Sequence, residues 1–262
     1  MGVLSGQVAL VTGASRGIGW ATAVALGEAG ANVAFNFFDA RHDVDAGIER
    51  VQAAGAAAIA VPGDVASADD VQRMADATVA AFGKLTIGVA NAAYSDRAPF
   101  YEADLAGVRR TIDVTMWGAY YLVRVAARQM IAQGVGGSLV VVGSPHAWLP
   151  LPLSMPYNMA KAATEHMART AAIELVDQRI RVNVVHPGWT DTPGERKHFS
   201  EQTLREAGLK LPWKRLASPA EIARAVVFFC DPASDYVTGT SLLVDGGVSL
   251  PWWAKGGSGV PQ

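Results

Sequence analysis

Short apolar runs recur along the chain: VALVT (8–12), NVAFNF (32–37), AIAV (58–61), LTIGVAN (85–91), SLVVVGS (138–144), RVNVVHP (181–187) and SLLVDG (241–246). Between them lie alanine-rich stretches with helical spacing, near 17–29, 43–54, 68–82, 104–133, 156–177 and 219–230. The runs are apolar throughout instead of alternating with polar residues, the pattern of strands covered on both faces. Strand and helix in alternation predict an α/β fold: a doubly wound parallel sheet of about seven strands flanked by helices. No Pro/Ser-rich linker or internal repeat divides residues 1–262, which therefore read as one domain. Only residues 189–218 break the rhythm: a charge-rich segment after the sixth strand, at the edge where parallel sheets bind ligands, placed to cover a substrate as a lid.

Composition narrows the class. Half of the residues are apolar and 18% are charged, with a net charge of −2, so a packed core is expected and neither nucleic acid nor an anionic membrane is. The one cysteine, Cys230, precludes an intrachain disulfide and suits a reducing compartment. The N-terminal MGVLSGQVALVTG has no basic segment before its apolar run, and that run breaks at Gly13, so a cytosolic protein without signal peptide or membrane span is expected.

Two motifs carry chemistry. TGASRGIG (12–19) follows the first strand and opens the first helix; Gly13, Gly17 and Gly19 let the chain turn sharply and present backbone N–H groups and a helix N-terminus to a pyrophosphate. MPYNMAKAA (155–163) places Tyr157 and Lys161 one helical turn apart. A free phenol, with a pKa of about 10, is a poor base near neutrality. Lowering it to about 7 takes about 4 kcal/mol of preferential phenolate stabilisation, which an ammonium in a low-dielectric cleft, aided by a cofactor's positive ring, can supply.

In register with these stand GDV (63–65), Asn91-Ala92 after the fourth strand, Ser144, HPG (186–188) and VDGG (244–247). Together, over roughly residues 5–247, they resemble the classical short-chain dehydrogenase/reductase family in order and spacing. The resemblance implies a Rossmann-type domain, a nicotinamide cofactor, a small alcohol or carbonyl substrate and a homotetramer. It implies a catalytic set of Ser144, Tyr157 and Lys161, with Ser144 donating to the substrate oxygen and Lys161 also binding the nicotinamide ribose. It implies that Gly13, Ser15, Arg16, Gly17, Ile18 and Gly19 cradle the cofactor, that Asp64 and Val65 hold the adenine end and that Asn91 lies along a ribose. It implies that Pro187, Gly188 and Thr190 also bind the cofactor and that Thr192 hydrogen-bonds the nicotinamide carboxamide. Relatives that prefer NAD end the second strand with an aspartate; here that position is Phe37, followed by Phe38 and Asp39. Arg16, with help from Arg41, resembles the basic reader of a 2′-phosphate, so NADP is expected ahead of NAD, with Asp39 as the residue that would favour NAD.

Two positions depart from the family pattern. Ala93 stands where a glycine is usual, and Thr115, in DVTMWG, stands where an asparagine anchors the water that links the lysine to solvent; Thr115 is thus a candidate member of the proton relay. Tyr94, His146, Trp148, Leu149, Met155 and Trp189 are expected to form an amphipathic substrate wall without a charge clamp, which argues against polyanionic substrates. His186 reads as structural, and the histidines show no metal-ligand spacing. Trp252 and Trp253, in the tail at 249–262, are expected at a subunit interface. The first expectation for function is NAD(P)-dependent oxidation of a secondary alcohol or hemiacetal, as by a sugar 1-dehydrogenase. The second is reduction of a 3-oxoacyl thioester or other ketone. A nucleotide-binding regulator with degraded catalysis is the reading from another class, motivated by Thr115 and Ala93.

Overall fold

Strands β1 (Val8–Val11), β2 (Asn32–Phe37), β3 (Ala58–Pro62), β4 (Ile87–Ala90), β5 (Gly137–Val142), β6 (Ile180–Pro187) and β7 (Ser241–Val244) pair in parallel in the order β3-β2-β1-β4-β5-β6-β7. Helices α1 (Gly17–Glu28), α2 (His42–Ala53), α3 (Ala68–Phe82), α4 (Leu105–Ile112), α5 (Gly118–Gln133), α6 (Met155–Glu174), α7 (Glu201–Lys210) and α8 (Pro219–Cys230) accompany them. This computed structural model describes residues 2–39, 42–197 and 199–252. Arg41 and Trp253, for which roles are expected above, lie outside the described residues. Trp252 is partly buried, its N–H donating to the Leu250 carbonyl at 2.7 Å.

The apolar strands are buried because alternate residues feed two separate cores. Leu10, Leu139, Val141, Val182 and Val184 pack with Val71 and Met74 of α3, Leu122 and Met130 of α5 and Ala168 of α6. Ala9, Val11, Val33, Phe35, Val140, Val142 and Val185 pack on the other face with Val24 of α1, Val51 of α2 and Ile222, Val226 and Phe229 of α8. With both faces covered, the parallel sheet leaves ligands only its C-terminal edge, where the chain leaves β1 and β4 in opposite directions.

The long helical stretch expected over 104–133 is interrupted. Between α4 and α5 the residues Asp113–Trp117 form a π-turn, in which the Gly118 N–H donates to the Asp113 carbonyl. Single π-turns insert an extra residue and re-aim side chains, and this one contains Thr115. The Thr115 hydroxyl, 2% exposed, donates to the Tyr94 carbonyl at 2.9 Å and accepts from the Tyr94 N–H at 3.0 Å. It ties the loop after β4 to the helix.

The 189–218 segment is likewise ordered by its own contacts. A parallel bridge pairs Thr190 with Ala217 at its base, and between them lie a short turn at Glu195–Lys197 and helix α7. Its exit is fixed by a capping box, in which Glu221 accepts from the Ser218 N–H at 2.8 Å while Arg215 grips the same carboxylate.

The Tyr94 clamp can be tested by deletion. Thr115→Val keeps the side-chain shape but strands the Tyr94 amide and carbonyl, which should cost about 1–3 kcal/mol. Hydrogen exchange at the Tyr94 amide should quicken by about 10- to 100-fold, and Thr115→Ser should restore protection. Unchanged exchange in the valine variant would show that the hydroxyl does not hold the loop.

Candidate active site

The glycine loop is built by close approach. Gly13 and Gly17 have φ of 62° and 58°, the left-handed region that glycine adopts without strain. At Gly19 an added Cβ would stand 2.2 Å from the Gly13 carbonyl oxygen and 2.3 Å from Asn91 Nδ2. The side chains beneath hold the turn. Asn91 Nδ2 donates to the Thr12 carbonyl (2.9 Å) and the Gly13 carbonyl (3.2 Å), and Thr12 Oγ1 accepts from the Asn91 N–H (3.0 Å). The Asn91 amide N–H groups are thus spent on the loop, and only its Oδ1 remains for a ligand.

Asn36 braces the loop from the other side and was not anticipated. Buried at the end of β2, it accepts from the Gly13 N–H (3.1 Å) and donates to the Gly63 carbonyl (3.0 Å). The only sequence signal is a polar residue interrupting the apolar run NVAFNF.

Arg16 is the exposed residue before α1 and lines a concavity of about 210 Å³ with Ser15, Gly17, Trp20, Asp43, Ala46 and Pro193. Thr192 packs on Gly17, where an added Cβ would lie 3.3 Å from its Cβ and Cγ2. Ile18 is half-buried against the α1/α8 core. Asp64 is engaged within the protein: Arg110 forks onto its carboxylate at 2.7 and 3.2 Å, and the Arg110 guanidinium lies 5.5 Å from the Phe38 ring. Next to it, Val65 is buried. Pro187 ends β6, the Gly188 N–H donates to the Val244 carbonyl at 2.9 Å, and Thr190 Oγ1 donates to the Gly188 carbonyl at 3.0 Å.

Ser144, Tyr157 and Lys161 converge from β5 and α6. Pro156, in the first turn of α6, starts a helix that directs both Tyr157 and Lys161 inward. Lys161 is 3% exposed; its Nζ donates to the Val142 carbonyl at 2.6 Å and lies 5.4 Å from the Tyr157 ring centroid. Burial lowers its pKa to about 8, so the ammonium still predominates at pH 7. Ser144 caps a short turn by accepting from the His146 N–H at 3.3 Å.

The expectation of a phenol lowered by its lysine needs correction for the chain by itself. Burial, reinforced by the Glu195 carboxylate, pushes Tyr157 up to about 12 against the opposing influences of the Ser144 hydroxyl and Arg97. The reason is that the ammonium is turned to a carbonyl while the phenol loses water.

His146 lies edge-on to Tyr157, with ring centroids 5.1 Å apart. Its Nδ1 is 2.5 Å from Asn158 Oδ1, and Asn158 Nδ2 donates to the Leu151 carbonyl at 2.9 Å, which orients the amide. Since Oδ1 can only accept, Nδ1 carries the proton and Nε2 presents a lone pair. Burial lowers the His146 pKa, which keeps the ring neutral.

Trp189 and Tyr94 stand at the mouth. Trp189 Nε1 donates to Glu195 Oε2 at 2.9 Å, and the Tyr94 hydroxyl donates to Asp96 at 3.3 Å. Trp148 does not join them. Its ring packs edge-on to His186 at 4.7 Å and lines a separate cavity of about 470 Å³ with Glu165, His166 and Arg169, because the turn after Ser144 carries it over the far side of α6. His186 is buried as a structural residue, its Nε2 2.8 Å from Glu165. The wall also holds charges that were not expected: Glu195 and Arg97 pair at 3.5 Å. They lie far apart in the chain, in loops without a local pattern, so no sequence signal joins them. Among the described residues no three His, Cys, Asp or Glu side chains gather as a metal site, and no helix is long and apolar enough to cross a membrane.

Known proteins share this arrangement over almost the whole chain. A family model described as Enoyl-(Acyl carrier protein) reductase matches residues 13–249. An L-rhamnose 1-dehydrogenase (NAD(P)(+)) of Sphingomonas sp. (strain SKA58) is 37% identical over 249 residues, 95% of this chain and 98% of that protein. Glucose 1-dehydrogenase 2 of Bacillus subtilis (strain 168) is 31% identical over 94% of this chain and 96% of its own. The crystal structure of a short-chain type dehydrogenase/reductase from Mycobacterium marinum superposes with a TM-score of 0.86 at 31% identity, covering 95% of this chain and 97% of that one. With the sheet order, the glycine cradle and the buried Tyr157–Lys161 pair, these likenesses establish that the chain belongs to the classical short-chain dehydrogenase/reductase family.

Proposed function

We propose that the chain is an NAD(P)-dependent oxidoreductase that interconverts a secondary alcohol or hemiacetal with the corresponding carbonyl, and that it acts as a sugar 1-dehydrogenase. The observation that carries this reading is the Lys161 ammonium, buried against the Val142 carbonyl and 5.4 Å from the Tyr157 ring. A solvated Tyr/Lys pair would decorate a helix; here the lysine is withdrawn from water beside the phenol.

The cradle fits a dinucleotide. Gly13 and Gly17 take left-handed φ and Gly19 lets the Gly13 carbonyl and Asn91 close in, so the loop turns tightly into the N-terminus of α1, where a pyrophosphate would find N–H groups and a favourable dipole. Gly13, Ser15, Ile18, Asn91 Oδ1, Asp64, Val65, Pro187, Gly188, Thr190 and Thr192 would hold the rest. Held by these residues, an oxidised nicotinamide dinucleotide would supply the hydride acceptor for the alcohol carbon and a positive ring near the phenol. NADP is the proposed preference, because Arg16 is exposed at the mouth of its concavity and Phe37 offers no carboxylate to a ribose 2′-hydroxyl.

The chain's own part is to position the alcohol and move its proton. Tyr157 Oη takes the hydroxyl proton as the carbonyl forms and returns it in reduction, while Ser144 Oγ donates a hydrogen bond to the same oxygen. Bringing a phenol from about 12 to near 7 asks for on the order of 7 kcal/mol of preferential phenolate stabilisation. Lys161 would supply part of it by turning its ammonium from the Val142 carbonyl toward the phenol, since a buried charge acts through a low effective dielectric. Thr115 serves as a positioning residue that holds Tyr94, and the remaining lone pair of its hydroxyl is what it can offer a relay water.

His146, Tyr94 and Trp189 line the substrate side, and the 189–218 segment covers it. Reduction of a ketone or 3-oxoacyl thioester is the second reading, favoured by the exposed apolar side chains Leu151, Leu153 and Met155 at the start of α6. A homotetramer accounts for Trp117 and Tyr120 on the α5 side, Met159 and Ile173 on α6 and Leu242 and Leu243 on edge strand β7, all exposed in the single chain. A cytoplasmic setting suits the single free, buried Cys230.

Tyr157→Phe should abolish turnover of aldoses, polyols and ketones followed by nicotinamide absorbance, while the cofactor dissociation constant stays within about threefold of wild type. Turnover within threefold of wild type would sink the assignment of Tyr157, whereas absence of any turnover in the wild type would favour the regulator reading. Arg16→Ala should raise the Michaelis constant for NADP by about 10- to 100-fold and that for NAD by much less, since only NADP loses an ion pair. Equal effects would move the specificity to Asp39.

A further inference from the structure

The cleft mouth is spanned by a charge pair drawn from two loops. Glu195 lies in the short turn at Glu195–Lys197, and Arg97 lies in the loop between β4 and α4. Glu195 Oε2 accepts the Trp189 Nε1–H at 2.9 Å, while Oε1 receives Arg97 Nη2 only at 3.5 Å. The Arg97 guanidinium sits 5.3 Å from the Phe199 ring centroid, and Phe199 packs edge-on to Trp189 at 5.7 Å. The two charged side chains are 32% and 22% accessible, for Arg97 and Glu195 respectively, so each is half-withdrawn from water. Both are close enough to act electrostatically on Tyr157.

This geometry leaves hydrogen-bonding capacity unused. A carboxylate offers about four lone-pair directions, and here one firm bond and one long one use two of them. The guanidinium, stretched over an aromatic ring, keeps free N–H groups. His146, edge-on to Tyr157 at 5.1 Å and with Nδ1 committed to Asn158, keeps the lone pair of its Nε2. A substrate that enters must satisfy these groups or bury them unsatisfied, at about 1–3 kcal/mol or more for each charged group. A sugar ring can do so: adjacent hydroxyls donate to the carboxylate, a hydroxyl oxygen accepts from the guanidinium, and the C–H face lies on the indole.

We propose that the Arg97–Glu195 pair, together with Trp189 and His146, binds hydroxyl groups on the carbons neighbouring the reacting one, so that the enzyme selects polyhydroxylated ring substrates and refuses those that lack the neighbouring hydroxyls. This rests on the oxidoreductase reading above and gives it a substrate class. It also makes the covering segment part of the recognition surface, because Trp189, Glu195 and Phe199 all come from it.

The test uses two readouts. In the first, the Tyr157→Phe protein is loaded with NADP and titrated calorimetrically with L-rhamnose, D-glucose and other aldoses; at least one should bind saturably, and adding Glu195→Gln should weaken that binding by about 10- to 100-fold. In the second, kcat/KM is measured for that aldose and for cyclohexanol in the wild type, in Glu195→Gln and in Arg97→Leu. The electrostatic influence on Tyr157 is common to both substrates and cancels in their ratio, so the aldose-to-cyclohexanol ratio should fall by about 10- to 100-fold, chiefly through KM. An unchanged ratio would show that the pair merely fastens the segment and would overturn the proposal. Failure of every aldose to bind, with cyclohexanol or ketone turnover intact, would overturn it too while leaving the oxidoreductase reading standing. Failure of the cofactor to bind would remove both.

Discussion

An ammonium group withdrawn from water is the constraint on which the site depends. Lys161 has lost nearly all of its hydration, and the Val142 carbonyl at 2.6 Å is the acceptor that replaces part of it. That carbonyl is available because β5 ends at Val142 and has no further strand residue to spend it on. The same strand end turns into Ser144, and α6 must lie against it for Lys161 to reach. The serine, tyrosine and lysine are therefore placed by one local event, the docking of the first turns of α6 on the end of β5. A lysine with its pKa near 8 titrates close to physiological pH, so its charge, and with it its support for a phenolate, remains sensitive to whatever else enters the cleft.

Behind that docking lies a second ionic network. Glu165 accepts from Ser241 Oγ at 2.6 Å, from Arg169 at 2.7 Å and from His186 at 2.8 Å. Burial alone would raise its pKa, but these bonds outweigh it and hold the carboxylate below its ordinary range. Burial keeps His186 neutral, so its Nε2 donates to Glu165 and its Nδ1 is left as a buried acceptor facing Gly143, where an added Cβ would lie 2.5 Å away. The glycine before Ser144 thus answers a packing need set by β6, and the network links α6, β6 and β7 behind the serine.

The fold was legible because its signals are local. Apolar runs bounded by glycine and proline gave the seven strands to within a few residues, and α3 and α8 have the expected ends, 68–82 and 219–230. The π-turn at Asp113–Trp117 was invisible, since its cause is the hydrogen bonding of Thr115 to Tyr94, a contact across 21 positions that no helical period encodes. The site was legible where spacing is enforced by one element: Tyr157 and Lys161 on one helix, Gly13, Gly17 and Gly19 in one loop. It was illegible where a side chain serves two elements. Asn36, a polar residue in an apolar strand, is the brace of the glycine loop. Trp148 looked like a neighbour of His146 in the cleft, but one short turn sends the two rings to different faces. Arg97 and Glu195 are 98 positions apart and meet only because the covering segment folds back over the loop after β4.

That division bears on how such a site changes its substrate. The proton-handling groups come from the end of β5, which feeds both cores, and from α6, which packs in one of them, so a displaced atom disturbs the packing around it. The groups at the mouth come from the loop after β4 and from the 189–218 segment, which is tied down at its base by the Thr190–Ala217 bridge and at its exit by Ser218, Glu221 and Arg215. Between those fastenings its side chains face the cleft with little obligation to the core: of α7, only Leu204 and Gly208 are buried. Substitutions at Glu195 or Phe199 therefore alter what the cleft accepts without moving Ser144, Tyr157 or Lys161. Recognition and chemistry meet at a single point, the electrostatic influence of Glu195 and Arg97 on the phenol. The carboxylate raises the phenol's pKa and the guanidinium lowers it, so a change at either charge reaches the proton carrier as well as the recognition surface.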